Sequence, residues 1–328
     1  LVTVSYHDTV NELQGMKLPG GSPFGRAEWF ALLAEAGGKT PFVAIARDEK
    51  GAAALPLMQG DSGLEQLSNW YAFTWQPLFE GMKDTAKIRA IAEGLKAHTH
   101  RITLAPVPDE DSSAAMLVGA FSDAGWKVSQ ERCDTNHILE VSERTYAEYL
   151  AGRPGQLRTT LKRKAKKVEV RIADSFDAEI WASYEAIYAE SWKPEEGDPA
   201  LLRKFAEDEG AAGRIRLGVA THEGVPVAAQ FWTVESGTAF IHKLAHLESH
   251  KNLSAGTTLT AALFERVIDE DKAQLVDFGT GNDRYKADWM EQIRARYRID
   301  CLNTGNPRSW PVIAKQMLRR LAPAKPQG

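Results

Sequence analysis

The run from Phe240 to Ile268, FIHKLAHLESHKNLSAGTTLTAALFERVI, decides the fold. Residues 240–247 read as a strand, 248–254 as a polar loop, and a helix opens near Ala255 with Leu259, Ala262, Leu263 and Val267 on one face. A helix start presents free backbone N–H groups and the positive end of the helix dipole, which suits a pyrophosphate. Gly256 lets such a group approach the backbone, and the hydroxyls of Ser254, Thr257 and Thr258 add donors. Ser254 equally fits an ordinary N-cap.

A second stretch lies just beyond. Val276-Asp-Phe-Gly-Thr-Gly281 reads as a buried strand ending at two glycines, followed by Asp283, Tyr285, Lys286 and Trp289. Polar side chains outside the carboxyl end of a strand are where open α/β sheets usually place function. A plain polar loop anchored by Trp289 is the competing reading.

Outward from these two stretches, strands and helices alternate. The second half offers helices at 177–191, 201–209 and 255–269 and strands at 215–222, 225–234, 238–247 and 275–278. The first half offers a helix at 26–36, a hairpin of 42–47 with 52–58, helices at 85–99 and 114–124, and strands at 101–105, 126–132 and 137–141, the last two as a pair. The expectation is an α/β (α+β) chain of two similar halves, about 1–140 and 141–328, with mixed, mostly antiparallel sheets flanked by helices. Between them, residues 153–171 carry eight basic side chains and one acidic. Leu157, Leu161, Ala165 and Val168 make this an amphipathic helix with a basic outer face. That face is either plain solvated surface or a clamp for an anionic acceptor through Arg158, Lys162 and Arg163. Nucleic acid is a third, weaker option.

The bulk composition excludes other classes. A net charge of −4 over 328 residues gives no global attraction to nucleic acid or an acidic membrane. Cys133 and Cys301 are the only cysteines and form no CxxC, which argues against a disulfide framework or thiolate zinc site. His242, His246 and His250 are spaced for a helical metal face, but the first two fall in a strand, so no metal is expected. Residues 1–8 have neither the basic nor the apolar part of a secretory signal, and no apolar run spans a bilayer. The expected location is the cytoplasm.

The ordered set of motifs resembles the GNAT superfamily, in the CelD/BioF2-like acetyltransferase branch related to the Fem-type aminoacyl transferases. The set runs from Thr145-Tyr-Ala-Glu-Tyr-Leu through the basic helix at Leu157 and a helix ending in Trp192. Gly224-Val-Pro-Val-Ala-Ala, Ser254-Ala-Gly256, Asp277-Phe-Gly-Thr-Gly, Tyr285-Lys286 and Trp289 complete it. It covers about 135–300 well and 22–134 loosely. The family's turn usually reads Ser-Pro-Gly, and Ala255 stands here for the proline.

The resemblance implies two tandem GNAT-like domains and acyl transfer from acetyl-CoA or another acyl-CoA, as co-substrate, to an amine. The acceptor class is a saccharide, an amino acid or a cell-envelope precursor. It implies a cofactor site at Leu244, Leu247, Ser254, Ala255, Gly256, Thr257 and Thr258, with strand N–H groups polarising the thioester carbonyl. It places Lys286 at the acyl centre, Tyr285 as proton donor, and Asp283, Glu248 or, less favourably, His242 as base. Arg158, Lys162, Arg163, Trp192, His242 and Trp289 are the substrate-side expectations. The rivals are a Fem-type enzyme using aminoacyl-tRNA and a non-catalytic GNAT-fold scaffold in polysaccharide synthesis or export.

Overall fold

Period-two apolar alternation and helical apolar stripes lay down the elements in chain order. In this computed structural model, which describes residues 1–191 and 193–321, they begin with β1 (Thr3–His7), α1 (Asn11–Gln14), α2 (Ala27–Glu35), β2 (Pro41–Asp48), β3 (Gly51–Gly60), β4 (Gly63–Gln66) and β5 (Leu78–Glu80). Next come α3 (Thr85–Leu95), β6 (Arg101–Val107), α4 (Ser113–Asp123), β7 (Trp126–Glu140), α5 (Tyr146–Ala151), α6 (Gly155–Lys164) and β8 (Glu169–Ala173). Then follow α7 (Ala178–Ala189), α8 (Pro199–Ala211), β9 (Ile215–His222), β10 (Val225–Glu235), β11 (Thr238–His246) and α9 (Ala255–Glu265). The chain continues through β12 (Leu275–Thr280), α10 (Lys286–Trp289), β13 (Gln292–Asn303) and α11 (Trp310–Leu321).

The chain forms two units. The first holds Leu1–Pro19, Phe24–Asp134 and the segment from Ala295 onward; the second holds Gly20–Pro23 and Thr135–Arg294. The division therefore differs from 1–140 and 141–328. The C-terminal stretch belongs with the first unit because β13 pairs β6 from Tyr297↔Val107 to Leu302↔Arg101. Arg101 also clamps Asp300 with two bonds of 2.7 and 3.1 Å.

In the first unit the strand order is β1-β2-β3-β4-β6-β13, with β5 on β3. In the second it is β7-β12-β11-β10-β9-β8. Both sheets are mixed: β4 runs parallel to β6 and β11 parallel to β12, while the other pairs described are antiparallel. Two expectations change. The pair 126–132 and 137–141 is one continuous strand, β7. The basic helix stops at Lys164, and after a 3-10 turn the chain enters β8, which its run of lysines had hidden.

Helices cover both faces of the second sheet, and neighbours on β10 show it. Phe231 packs edge-on against Trp181 of α7 and Phe205 of α8, whereas Trp232 meets Phe264 of α9 at 5.3 Å. The α9 face is set close by Gly218 on β9, where an added Cβ would lie 2.9 Å from Leu259 Cδ1 and 3.2 Å from Leu263 Cδ1. Both leucines are fully buried. Gly218→Val should therefore overpack this contact and lower stability by about 1–3 kcal/mol. Urea unfolding measures it, and an unchanged midpoint would show that α9 can give way.

Candidate active site

The start of α9 is built differently from an ordinary cap. Ser254 sits in the left-handed region (φ 56°, ψ 37°) and its hydroxyl makes no capping bond. Its Oγ instead accepts from Lys164 Nζ at 3.0 Å. A cation beside a helix N-terminus opposes the helix dipole by roughly 0.3–1 kcal/mol, and so suits a bound anion. Thr258, on the first turn, is buried with its hydroxyl unpartnered. Gly256 has helical backbone, and an added Cβ would only touch His246 at 3.6–3.8 Å, so no backbone strain calls for glycine. Its carbonyl accepts from Gln230 Nε2 (3.1 Å) and Thr260 Oγ1 (2.9 Å), and Gln230 Oε1 accepts from Trp232 Nε1 (2.9 Å). The first turn is thus tied to β10. Free N–H groups, an ammonium and an orphan hydroxyl form a donor set that fits a pyrophosphate.

The second feature is an opening in the sheet. The parallel ladder of β11 and β12 runs from Thr238↔Leu275 to Phe240↔Asp277, and among the described residues no rung follows. On its other side β11 bulges: Phe231 faces Lys243 while Trp232 faces Ile241. A bulge puts two consecutive residues on one face. His242 accordingly stacks on Phe231 (4.9 Å), and Lys243 pairs with Glu196 at 2.8 Å over the Tyr188 ring. The Leu244 carbonyl is taken by Lys193 Nζ at 2.5 Å.

Beyond β12, buried Asp277 accepts from Asn136 Nδ2 (2.6 Å) and the Gly279 N–H (2.7 Å). This anchors a turn in which Gly279 and Gly281 both have positive φ (67° and 105°), conformations that disfavour other residues. Lys286, buried, donates to the Thr280 carbonyl of this turn, and Asp283 Oδ2 lies 4.0 Å from its ammonium. Burial pushes the Tyr285 phenol well above its ordinary range, where it packs edge-on against Phe278. Burial, reinforced by Lys243, pulls Lys193 down to about 8; Asp283 and Glu196 oppose this, and Lys286 adds to it. Burial likewise lowers Lys243, against the pull of Glu196.

The residues singled out from sequence distribute as follows. Ser254, Ala255, Gly256, Thr257 and Thr258 open α9, and Leu244 and Leu247 are partly buried against the core. Lys286, Asp283 and Tyr285 gather beyond β12. Glu248 stands apart from them, paired with Lys251 (3.2 Å) and His246 (3.3 Å) near the α9 start. His242 is held in an aromatic cluster, with Nε2 2.8 Å from Thr233 Oγ1. Trp289 stacks on Phe264 at 5.0 Å and packs within the core cluster. Arg158, Lys162 and Arg163 are exposed on α6, and it is the next residue, Lys164, that reaches α9. Trp192 lies outside the described residues. Sequence reasoning passed over Lys164, Lys193, Lys243 and Glu196. Only Lys164, within the basic run and facing α9, carried a usable signal. Among the described residues no three His, Cys, Asp or Glu gather as metal ligands would, and no helix is long and apolar enough to cross a membrane.

Residues 155–287 match the family model for an acetyltransferase (GNAT) domain. No curated protein matches the sequence. Among solved structures, FemX covers 95% of this chain and 99% of its own, at 11% identity and a TM-score of 0.64. L-PGS from Bacillus licheniformis covers 88% and 91%, at 15% identity and a TM-score of 0.54. A tandem GNAT protein from the clavulanic acid biosynthesis pathway covers 91% and 98%, at 14% identity and a TM-score of 0.51. At such identities the likeness is one of fold. Residues 155–287 thus carry the match to an acetyltransferase (GNAT) domain, in a chain whose fold is similar to those of FemX and a tandem GNAT protein.

Proposed function

We propose that the chain transfers an acyl group, in the simplest case acetyl, from acyl-CoA to a primary amine of a saccharide, amino acid or cell-envelope precursor. The observation that carries this reading is Lys164 at the start of α9, a cation placed where only an anion relieves the electrostatic conflict. Lys164, the orphan Thr258 hydroxyl and the first-turn N–H groups would hold the pyrophosphate. The bound thioester supplies the activated carbonyl. Beyond its last rung with β12, β11 would offer backbone groups to its oxygen, and Lys286 adds positive charge held in place by the Thr280 carbonyl. Tyr285 stays protonated throughout the working pH range and serves as donor for the departing sulfur. Such a reaction belongs in the cytoplasm, where acyl-CoA is found.

A second reading, transfer from aminoacyl-tRNA, draws support from the fold shared with FemX and the exposed basic row of α6. Release of amino acid from aminoacyl-tRNA, with no heat on CoA titration, would select it. Failure of both would favour the scaffold reading.

Calorimetric titration with CoA tests the donor site. Lys164→Ala should weaken binding about tenfold, through loss of one charge-assisted bond. Gly256→Val should cost roughly 3 kcal/mol by crowding the phosphate, with little change in unliganded stability. Equal affinities for all three proteins, or no binding by the wild type, would refute the assignment. Separately, Lys286→Met should lower turnover about 100-fold while leaving CoA affinity unchanged. A folded variant with full turnover would remove Lys286 from the acyl centre.

A further inference from the structure

A cavity of about 450 Å³ lies between α7 and α8, lined by Trp181, Tyr184, Tyr188 and Leu202 and by Lys193 and Glu196 of the connecting loop. Its size suits a small ligand, and its mix of aromatic walls and a few polar groups is typical of ligand pockets. Lys193 belongs to this wall and at the same time donates to the Leu244 carbonyl on the open edge of β11. One side chain therefore touches both the pocket and the strand along which the acyl group is taken to lie.

We propose that this pocket receives the acceptor amine and that Lys193 takes the proton the amine loses on acylation. The inference rests on the acyl-transfer reading above. The amine nitrogen bonds to the carbonyl carbon as the carbon–sulfur bond breaks. One proton leaves nitrogen for Lys193 Nζ, and one is delivered to the departing sulfur, so the reaction is balanced. A base must be neutral to act. Lys193 is surrounded by Lys243 and His246 of β11, Glu196 of its own loop, Tyr188 of α7, and Asp283 and Lys286 beyond β12. Burial among these groups brings it to about 8, so that a useful fraction is unprotonated near neutrality. The three bases expected from sequence are less suited. His242 is committed to Thr233 and Glu248 to Lys251, while Asp283 stands beside the Lys286 ammonium.

The test supplies acetyl-CoA and a panel of primary amines, selects the fastest, and follows kcat at saturating amine from about pH 6 to about pH 10. The wild-type rate should rise with pH through an inflection near 8, the value set by Lys193. Lys193→Arg keeps a donor for Leu244 but cannot be deprotonated, and should lose about 100-fold in kcat at pH 8 and the inflection with it. Lys193→Met should lose as much, and Ala189→Trp, which narrows the pocket from an exposed position on α7, should raise the amine KM about tenfold. Wild-type turnover in the arginine variant, an inflection surviving in the methionine variant, or an unmoved KM would overturn the proposal. Absence of turnover with every amine would instead overturn the acyl-transfer reading itself.

Discussion

Two parallel strands that part company must find other partners for their backbone groups, and the second unit is arranged around that constraint. β11 and β12 share three rungs and then separate. A strand edge left open inside a sheet is unfavourable unless other groups satisfy it. Lys193 answers part of the need at Leu244, and the Asp277-anchored turn closes the end of β12. Lys286, a few residues further on, donates back into that turn through the Thr280 carbonyl. The groups proposed for the chemistry thus gather where regular pairing stops.

The bulge on the other edge of β11 supplies the complementary feature. By shifting register at His242 it turns Lys243 toward α7 and α8 and leaves Leu244 opposite Gln230. Three ammonium groups then stand near one another, those of Lys193, Lys243 and Lys286, with Asp283 and Glu196 as their counter-ions. Removing water from such a group raises the free energy of every uncompensated charge and so lowers the pKa of a buried ammonium. Burial lowers both Lys193 and Lys243, and Lys243 keeps the opposing pull of its bond to Glu196.

What the sequence disclosed depended on whether a feature was local. The passage from strand to helix at 240–268 is marked by its own Gly and Thr residues, and Asp283, Tyr285 and Lys286 sit in one short run. Lys193 is a single lysine in a loop rich in Pro and Glu, and nothing adjacent marks it. Its environment arises from a bulge in β11 and from residues some fifty to ninety positions away. β13 was hidden for another reason. Its Ile293 is exposed while Arg296, paired with Glu110 at 2.9 Å, is 1% exposed, which inverts the usual alternation. Ser254 looked like a cap, and only its left-handed backbone and the approach of Lys164 set it apart.

The tie between Gln230 and the first turn of α9 has a mechanical meaning. Gln230 and Trp232 face the helix that opens at Ala255, while Phe231 between them packs on α7 and α8. One short segment of β10 therefore forms the floor under two regions on opposite sides of a sheet. A ligand that presses on either region bears on the same three residues. Linkage then requires that whatever one occupant does to the affinity of the other be returned in equal measure, so any coupling between the two sides of the sheet passes through a single strand's freedom to shift.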